Sequence, residues 1–129
     1  MAWDLEQLEQ LISKEQDFVV TRESDVLMIA NGDGLDAWLA ISGEQILVES
    51  LLFAVDEVED TAQLNEMVLK THMMFPLTTV GLSDVNGVSY YTAFGALSAQ
   101  SKESSILIEI HTLFDNVEGF LDAYSTYLK

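Results

Sequence analysis

Gln45-Ile46-Leu47-Val48-Glu49-Ser50-Leu51-Leu52-Phe53-Ala54-Val55 is the stretch that decides the fold of this chain. Apolar side chains fill both alternating sets, Ile46, Val48, Leu52 and Ala54 on one and Leu47, Leu51, Phe53 and Val55 on the other. So short an apolar run fits a central strand covered on both faces, and a buried helix gives similar periodicity. The strand is the preferred reading, and everything around it is then read as sheet flanked by helices.

Toward the N-terminus, Trp38 and Ala40 alternate with Ala37, Leu39 and Ile41 within Asp36 to Ser42, and Gly43 turns the chain into the central stretch. Asn31-Gly32-Asp33-Gly34 supplies residues that tolerate positive φ and suits a tight reversal. Before it, Asp17 to Glu23 and Asp25 to Ala30 read as strands separated at Ser24. From Trp3 to Lys14, Leu5, Leu8, Leu11 and Ile12 recur at steps of three and four, the stripe of a short amphipathic helix. Toward the C-terminus, Asp60 followed by Gln63 has capping-box spacing and opens a helix through Leu64, Met67, Val68 and Met74 that Pro76 must end. Leu77 to Val85 and Val88 to Phe94 flank Asn86-Gly87, the strongest hairpin signal in the chain. Residues 95–101 read as a loop, and Ile106, Ile110, Leu113, Val117, Phe120, Tyr124 and Leu128 mark a long amphipathic helix. Gly119 inside that helix weakens it by up to ~1 kcal/mol, so close packing against a neighbour is expected there. The expected architecture is a single α+β domain over residues 1–129, a twisted antiparallel sheet of about five or six strands with an N-terminal, a middle and a long C-terminal helix.

The chain has 129 residues, 49% of them hydrophobic, enough for a sizeable core, yet its net charge is −17. The excess is uneven: residues 1–60 hold 15 acids and 2 bases, residues 61–129 only 7 acids and 3 bases. Nucleic acid and anionic membrane surfaces are poor partners for such a surface, because both are bound through Lys and Arg. Without cysteine there is no disulfide, thiolate nucleophile or Cys-based metal site. Met1-Ala2-Trp3-Asp4-Leu5-Glu6 lacks the basic-then-apolar pattern of a secretory signal and no run reaches the ~18 apolar residues of a membrane span, so a cytoplasmic location is expected. Surface acids also keep proteins soluble in salty surroundings, a second explanation of the −17.

Few residues carry the marks of chemistry. His72 and His111 have no partner at metal-ligand spacing. Asn31, Asp33 and Asp36 miss the register of a calcium loop, whose twelfth position is Ser42. Asp56, Glu57, Glu59 and Asp60 form the densest acidic run and suit a solvated loop that favours the following helix N-terminus. No nucleophile elbow, P-loop or dinucleotide fingerprint occurs, so no catalytic residue, cofactor site or metal site is assigned. Glu49 stands out because it interrupts an apolar stretch; on a buried strand its carboxylate needs hydrogen bonds, a proton, or an opening to a groove. Together with Trp38, Phe53 and Tyr91 it makes the candidate partner-binding set, Tyr90 and Tyr91 necessarily pointing to opposite faces of one strand.

Gly43-Glu44-Gln45-Ile46-Leu47-Val48-Glu49, Thr71-His72-x-x-Phe75-Pro76-Leu77-x-x-Val80-Gly81 and Tyr90-Tyr91-x-x-Phe94-Gly95-Ala96-Leu97-Ser98 together resemble the YjfI-like bacterial family of unknown function, over nearly the whole chain. The order of elements, the small size and the acidity are also similar to the type III secretion chaperones and their Tir-chaperone-like relatives. That likeness implies a homodimer that holds an extended client segment along hydrophobic patches, without enzymatic activity. The expected function is accordingly a non-enzymatic, chaperone-like or adaptor protein binding a polypeptide partner, with the acidic surface favouring a basic one. The alternatives are an acidic decoy of a nucleic-acid-binding protein and a metal-dependent site around Glu49 and Asp56–Asp60. If the chain dimerises, the nearly neutral later half is expected to form the contact.

Overall fold

A computed structural model describes residues 2–129, and no helix in it is long and apolar enough to cross a membrane. Asp4 starts helix α1 (Leu5–Ser13) through a capping box: its carboxylate accepts from the Gln7 N–H at 2.8 Å, and the Gln7 side chain accepts from the Asp4 N–H at 3.1 Å. Leu8, Leu11 and Ile12 are its buried residues, as the three-and-four spacing requires. Four strands follow as an antiparallel meander, β1 (Phe18–Glu23), β2 (Val26–Asn31), β3 (Asp36–Ser42) and β4 (Gln45–Ala54). Asp60 accepts from the Gln63 N–H at 3.2 Å and opens α2 (Thr61–Thr71). The hairpin of β5 (Thr79–Val85) and β6 (Val88–Ser98) turns on Asn86 and Gly87, both at positive φ, as a two-residue primed turn demands. Helix α3 (Glu103–Tyr124) closes the fold.

The six strands form one antiparallel sheet in the order β1-β2-β3-β4-β6-β5, so β4 is central and β1 and β5 are the edges. Strand β6 runs on to Ser98, where residues 95–101 had been expected to be a loop, because it pairs with the whole of β4 out to Gln45↔Ser98. The α-helix of α2 stops at Thr71, earlier than Pro76, and continues as one 3-10 turn over His72–Met74; Phe75, the residue preceding the proline, is the one held out of helical φ and ψ, and the turn ends there. Leu77 has φ +71, which delays β5 to Thr79. Leu128 lies outside α3 and bridges to Val58, drawing the C-terminal residues onto the segment before α2.

The core lies between the helices and one face of the sheet. Leu27, Ile29, Ala37, Leu39, Ile46, Val48, Tyr91 and Ala93 meet Leu8, Ile12, Ile106, Ile110, Leu113, Val117 and Phe120 there. Gly119 has the expected close neighbour: a Cβ at that position would lie 2.7 Å from Cε1 of Phe75, whose ring packs at a tilt against Phe120 with centroids 4.2 Å apart. The central strand departs from its sequence reading in two ways. It is covered on one face only, since Leu47 and Leu51 remain half-buried on the side without helices. It also carries a bulge between Leu51 and Phe53, and the extra residue turns Phe53 from the set of Leu47 and Leu51 into the core.

Candidate functional site

Strand register assembles a single row of side chains across all six strands on the helix-free face: Thr21↔Met28, Met28↔Trp38, Trp38↔Glu49, Glu49↔Phe94 and Phe94↔Thr79. Directly opposite residues on neighbouring strands have Cβ atoms roughly 4.5–5.5 Å apart, so the Glu49 carboxylate stands between an indole and a phenyl ring. Trp38 and Phe94 are half-buried and Glu49 is exposed. The next row is Ala40, Leu47 and Ala96, and on the other side lie Leu51 and Thr92. Beside β5 the surface dips into a recess of about 250 Å³ lined by Leu47, Glu49, Gly81, Leu82, Ser83, Thr92 and Phe94. Ser83 and Thr92 satisfy each other at 2.6 Å, which leaves Glu49 as the charged group of this wall.

A carboxylate flanked by aromatic faces suits one kind of visitor. An ammonium or guanidinium placed over Glu49 gains the ion pair and the attraction of the ring quadrupoles together. Leu47 and Leu51 offer apolar surface on either side of that position. Glu49 therefore needs none of the devices that a buried carboxylate requires; it sits on the open side of a central strand.

Of the four residues singled out from sequence, the structure brings Trp38 and Glu49 together and sends the other two elsewhere. Phe53 and Tyr91 pair with each other, ring centroids 5.3 Å apart, on the helix-covered face. They do not line the open face: the bulge buries Phe53, and Tyr91 is only 3% exposed, donating its hydroxyl to Asn65 of α2. Burial pushes the Tyr91 phenol pKa above its ordinary value. Phe94 and Leu47 complete the face and were not singled out, because their neighbours are set by the long-range pairing of β4 with β6. Asp56 and Glu57 lie in the 3-10 turn after β4, and among the described residues no group of three His, Cys, Asp or Glu converges on a point where a metal ion could be held.

His111 pairs with Glu15 at 2.9 Å and packs at a tilt against the ring of Phe18, tying α3 to the start of β1. His72 accepts the Val80 N–H at 3.3 Å on Nε2. Glu109, unremarked in the sequence, is 7% exposed, its Oε2 has no hydrogen-bond partner, and it lies against Gly95, where a Cβ would collide with it. Burial raises its pKa.

Comparison with known proteins adds a family and a fold. The family model described as "uncharacterized protein conserved in bacteria (DUF2170)" matches residues 2–128. The uncharacterized protein YjfI of Escherichia coli K12 is 35% identical over 115 residues, covering 88% of this chain and 86% of that protein, and its counterpart in E. coli O157:H7 matches equally. Among solved structures, YbjN, a candidate transcription regulator from E. coli, superposes with a TM-score of 0.76 at 16% identity, covering 99% of this chain and 96% of its own. A chain of the HopA1–SchA chaperone–effector complex gives 0.63 at 15% identity, covering 89% and 90%. A chain of the ExsC–ExsE complex gives 0.58 at 12%, covering 93% and 96%.

Proposed function

This chain belongs to the DUF2170 family of uncharacterized bacterial proteins, and we propose that it is a cytoplasmic, non-enzymatic, chaperone-like or adaptor protein that binds a basic polypeptide segment on the open face of its sheet and works as a homodimer. The observation that carries the reading is the row Trp38–Glu49–Phe94 in the middle of an uncovered sheet face. Its fold is shared with a protein of a chaperone–effector complex, which supports a polypeptide as the ligand. An extended segment lying across the face seats a Lys or Arg on Glu49, between the two rings, and aliphatic side chains on Leu47 and Leu51. The acidic surface of a chain with net charge −17 speeds the approach of such a partner.

Synthetic peptides that alternate leucine with lysine, set against the same peptides with glutamate for lysine, test this through the fluorescence of Trp38. The basic peptide is expected to shift the emission, the signal to vanish in Trp38→Phe, and the affinity to fall about tenfold in Glu49→Gln, the loss that ~1.4 kcal/mol represents. Added salt should weaken binding further. Binding of neither peptide, or binding indifferent to both Glu49→Gln and Trp38→Phe, would overturn the reading.

A further inference from the structure

Thr79, Gly81 and Ser83 take alternate positions on β5 and so share the open face of the sheet, opposite Phe94, Thr92 and Tyr90 of β6. Gly81 is the gap in that series. Its absent side chain opens onto the recess of about 250 Å³ that Leu47, Leu82 and the Phe94 ring wall and to which Glu49 gives a charge. That volume is below the ~300–1,000 Å³ of clefts that enclose whole small molecules, and it suits a single side chain. A Cβ on Gly81 would meet Cε1 of Phe94 at 3.5 Å, an ordinary contact, and Gly81 is not at positive φ. Neither backbone nor packing therefore demands glycine here, and what the missing side chain provides is space. Among the described residues Glu49 has no ion-pair partner, while Thr92, only 2% exposed, shares its hydrogen bond with Ser83.

We infer that this recess makes the open face selective for arginine: the guanidinium of a bound polypeptide lies on Glu49 and against the Phe94 ring, with its methylene stem over Gly81. The inference rests on the polypeptide binding proposed above and names the basic residue that the site takes. Every basic side chain gains the attraction of Glu49, so the rest of the lining makes the choice between them. A lysine ammonium is a compact, strongly hydrated charge with three N–H donors, and entering the recess exchanges its water for carbon and one carboxylate. A guanidinium is planar and weakly hydrated; it forks two N–H groups onto a carboxylate, stacks on an aromatic ring and turns its remaining donors to solvent. Its apolar stem covers carbon as it enters. Lysine gains the ion pair from the open side of the strand and leaves the recess unfilled.

Calorimetry on the full chain, with peptides that alternate leucine with arginine, lysine or citrulline, tests this. The arginine peptide is expected to bind at least about tenfold more tightly than the lysine peptide. Citrulline, which keeps the shape and loses the charge, should bind more weakly than either. Gly81→Val puts a β-branched residue on a strand, where such residues fit, and fills the recess. It should bring the arginine peptide down to the affinity of the lysine peptide and leave the lysine peptide unchanged. Thermal unfolding checks that the variant is folded, and Gly81→Ala, whose added Cβ meets only an ordinary contact, carries the same comparison with a smaller loss. Equal affinity for arginine and lysine in the unaltered chain overturns the inference and leaves basic-peptide binding standing. An arginine preference that survives Gly81→Val overturns it as well. So does a folded Gly81→Val that weakens both basic peptides alike, since the recess then takes the leucine that they share. Binding of neither basic peptide overturns the inference together with the reading on which it rests.

Discussion

Glu109 enters the core from α3 with one carboxylate oxygen unpartnered, and Gly95 on β6 makes room for it by having no side chain. Burial disfavours the charged form, so the pKa of the folded state lies above the ordinary 4.5. The sign follows from linkage: an acid with a raised folded pKa is fully compatible with the fold below 4.5 and subtracts stability as pH rises through the folded value. Glu109→Gln, which cannot ionise, is therefore expected to gain on the wild type steadily from acid to neutral pH in urea midpoints. A constant difference across that range would show that the carboxylate does not titrate inside the fold. The spacing marks Glu109, three residues after Ile106 and four before Leu113 and so beside the apolar stripe, whereas the exposed Glu118 and Asp122 lie on the far side of the helix.

At the scale of elements, the bulge in β4 decides which side chains face a partner. Leu51 and Phe53 share a parity in the sequence and lie on opposite faces in the fold. Phe53→Ala is expected to lose about 3–5 kcal/mol, the cost of emptying a packed aromatic site. Leu51→Ala, half-buried on the open face, should lose about 1 kcal/mol, close to the median for a point change. Urea denaturation of the two variants measures the difference, and equal losses would place both residues in one environment. The other elements were legible from local signals. The Asp4 and Asp60 caps, the Asn86-Gly87 turn and the apolar stripes act within a few residues, and the helices and strands formed where those signals lie. The ends of α2 and β6 were not: the α-helix tightens into a 3-10 turn at His72, well before the Pro76 that marks its end in the sequence, and the pairing of β6 with β4 carries that strand on to Ser98.

For the whole molecule, the net charge of −17 makes self-repulsion a standing cost of the folded state. The melting temperature at neutral pH is expected to rise as sodium chloride is added from low ionic strength, where the Debye length shrinks to about 8 Å at physiological salt. A melting temperature that falls over this range would mean that attractive pairs outweigh the repulsion. Such pairs are few: the described residues hold Lys70–Glu66 at 3.0 Å and His111–Glu15 at 2.9 Å. The amino-acid sequence by itself determined the α+β class, the three helices, the strand-rich hairpins and the acidity of the first half, because periodicity, caps, turn residues and charge are properties of neighbours along the chain. Tertiary structure alone decided that the helices gather on one face of the sheet, that a bulge moves Phe53 inward, and that Trp38, Glu49 and Phe94 stand in one row. Those outcomes depend on which distant strand pairs with which and in what register, and a slip of one residue would send every one of those side chains to the other face.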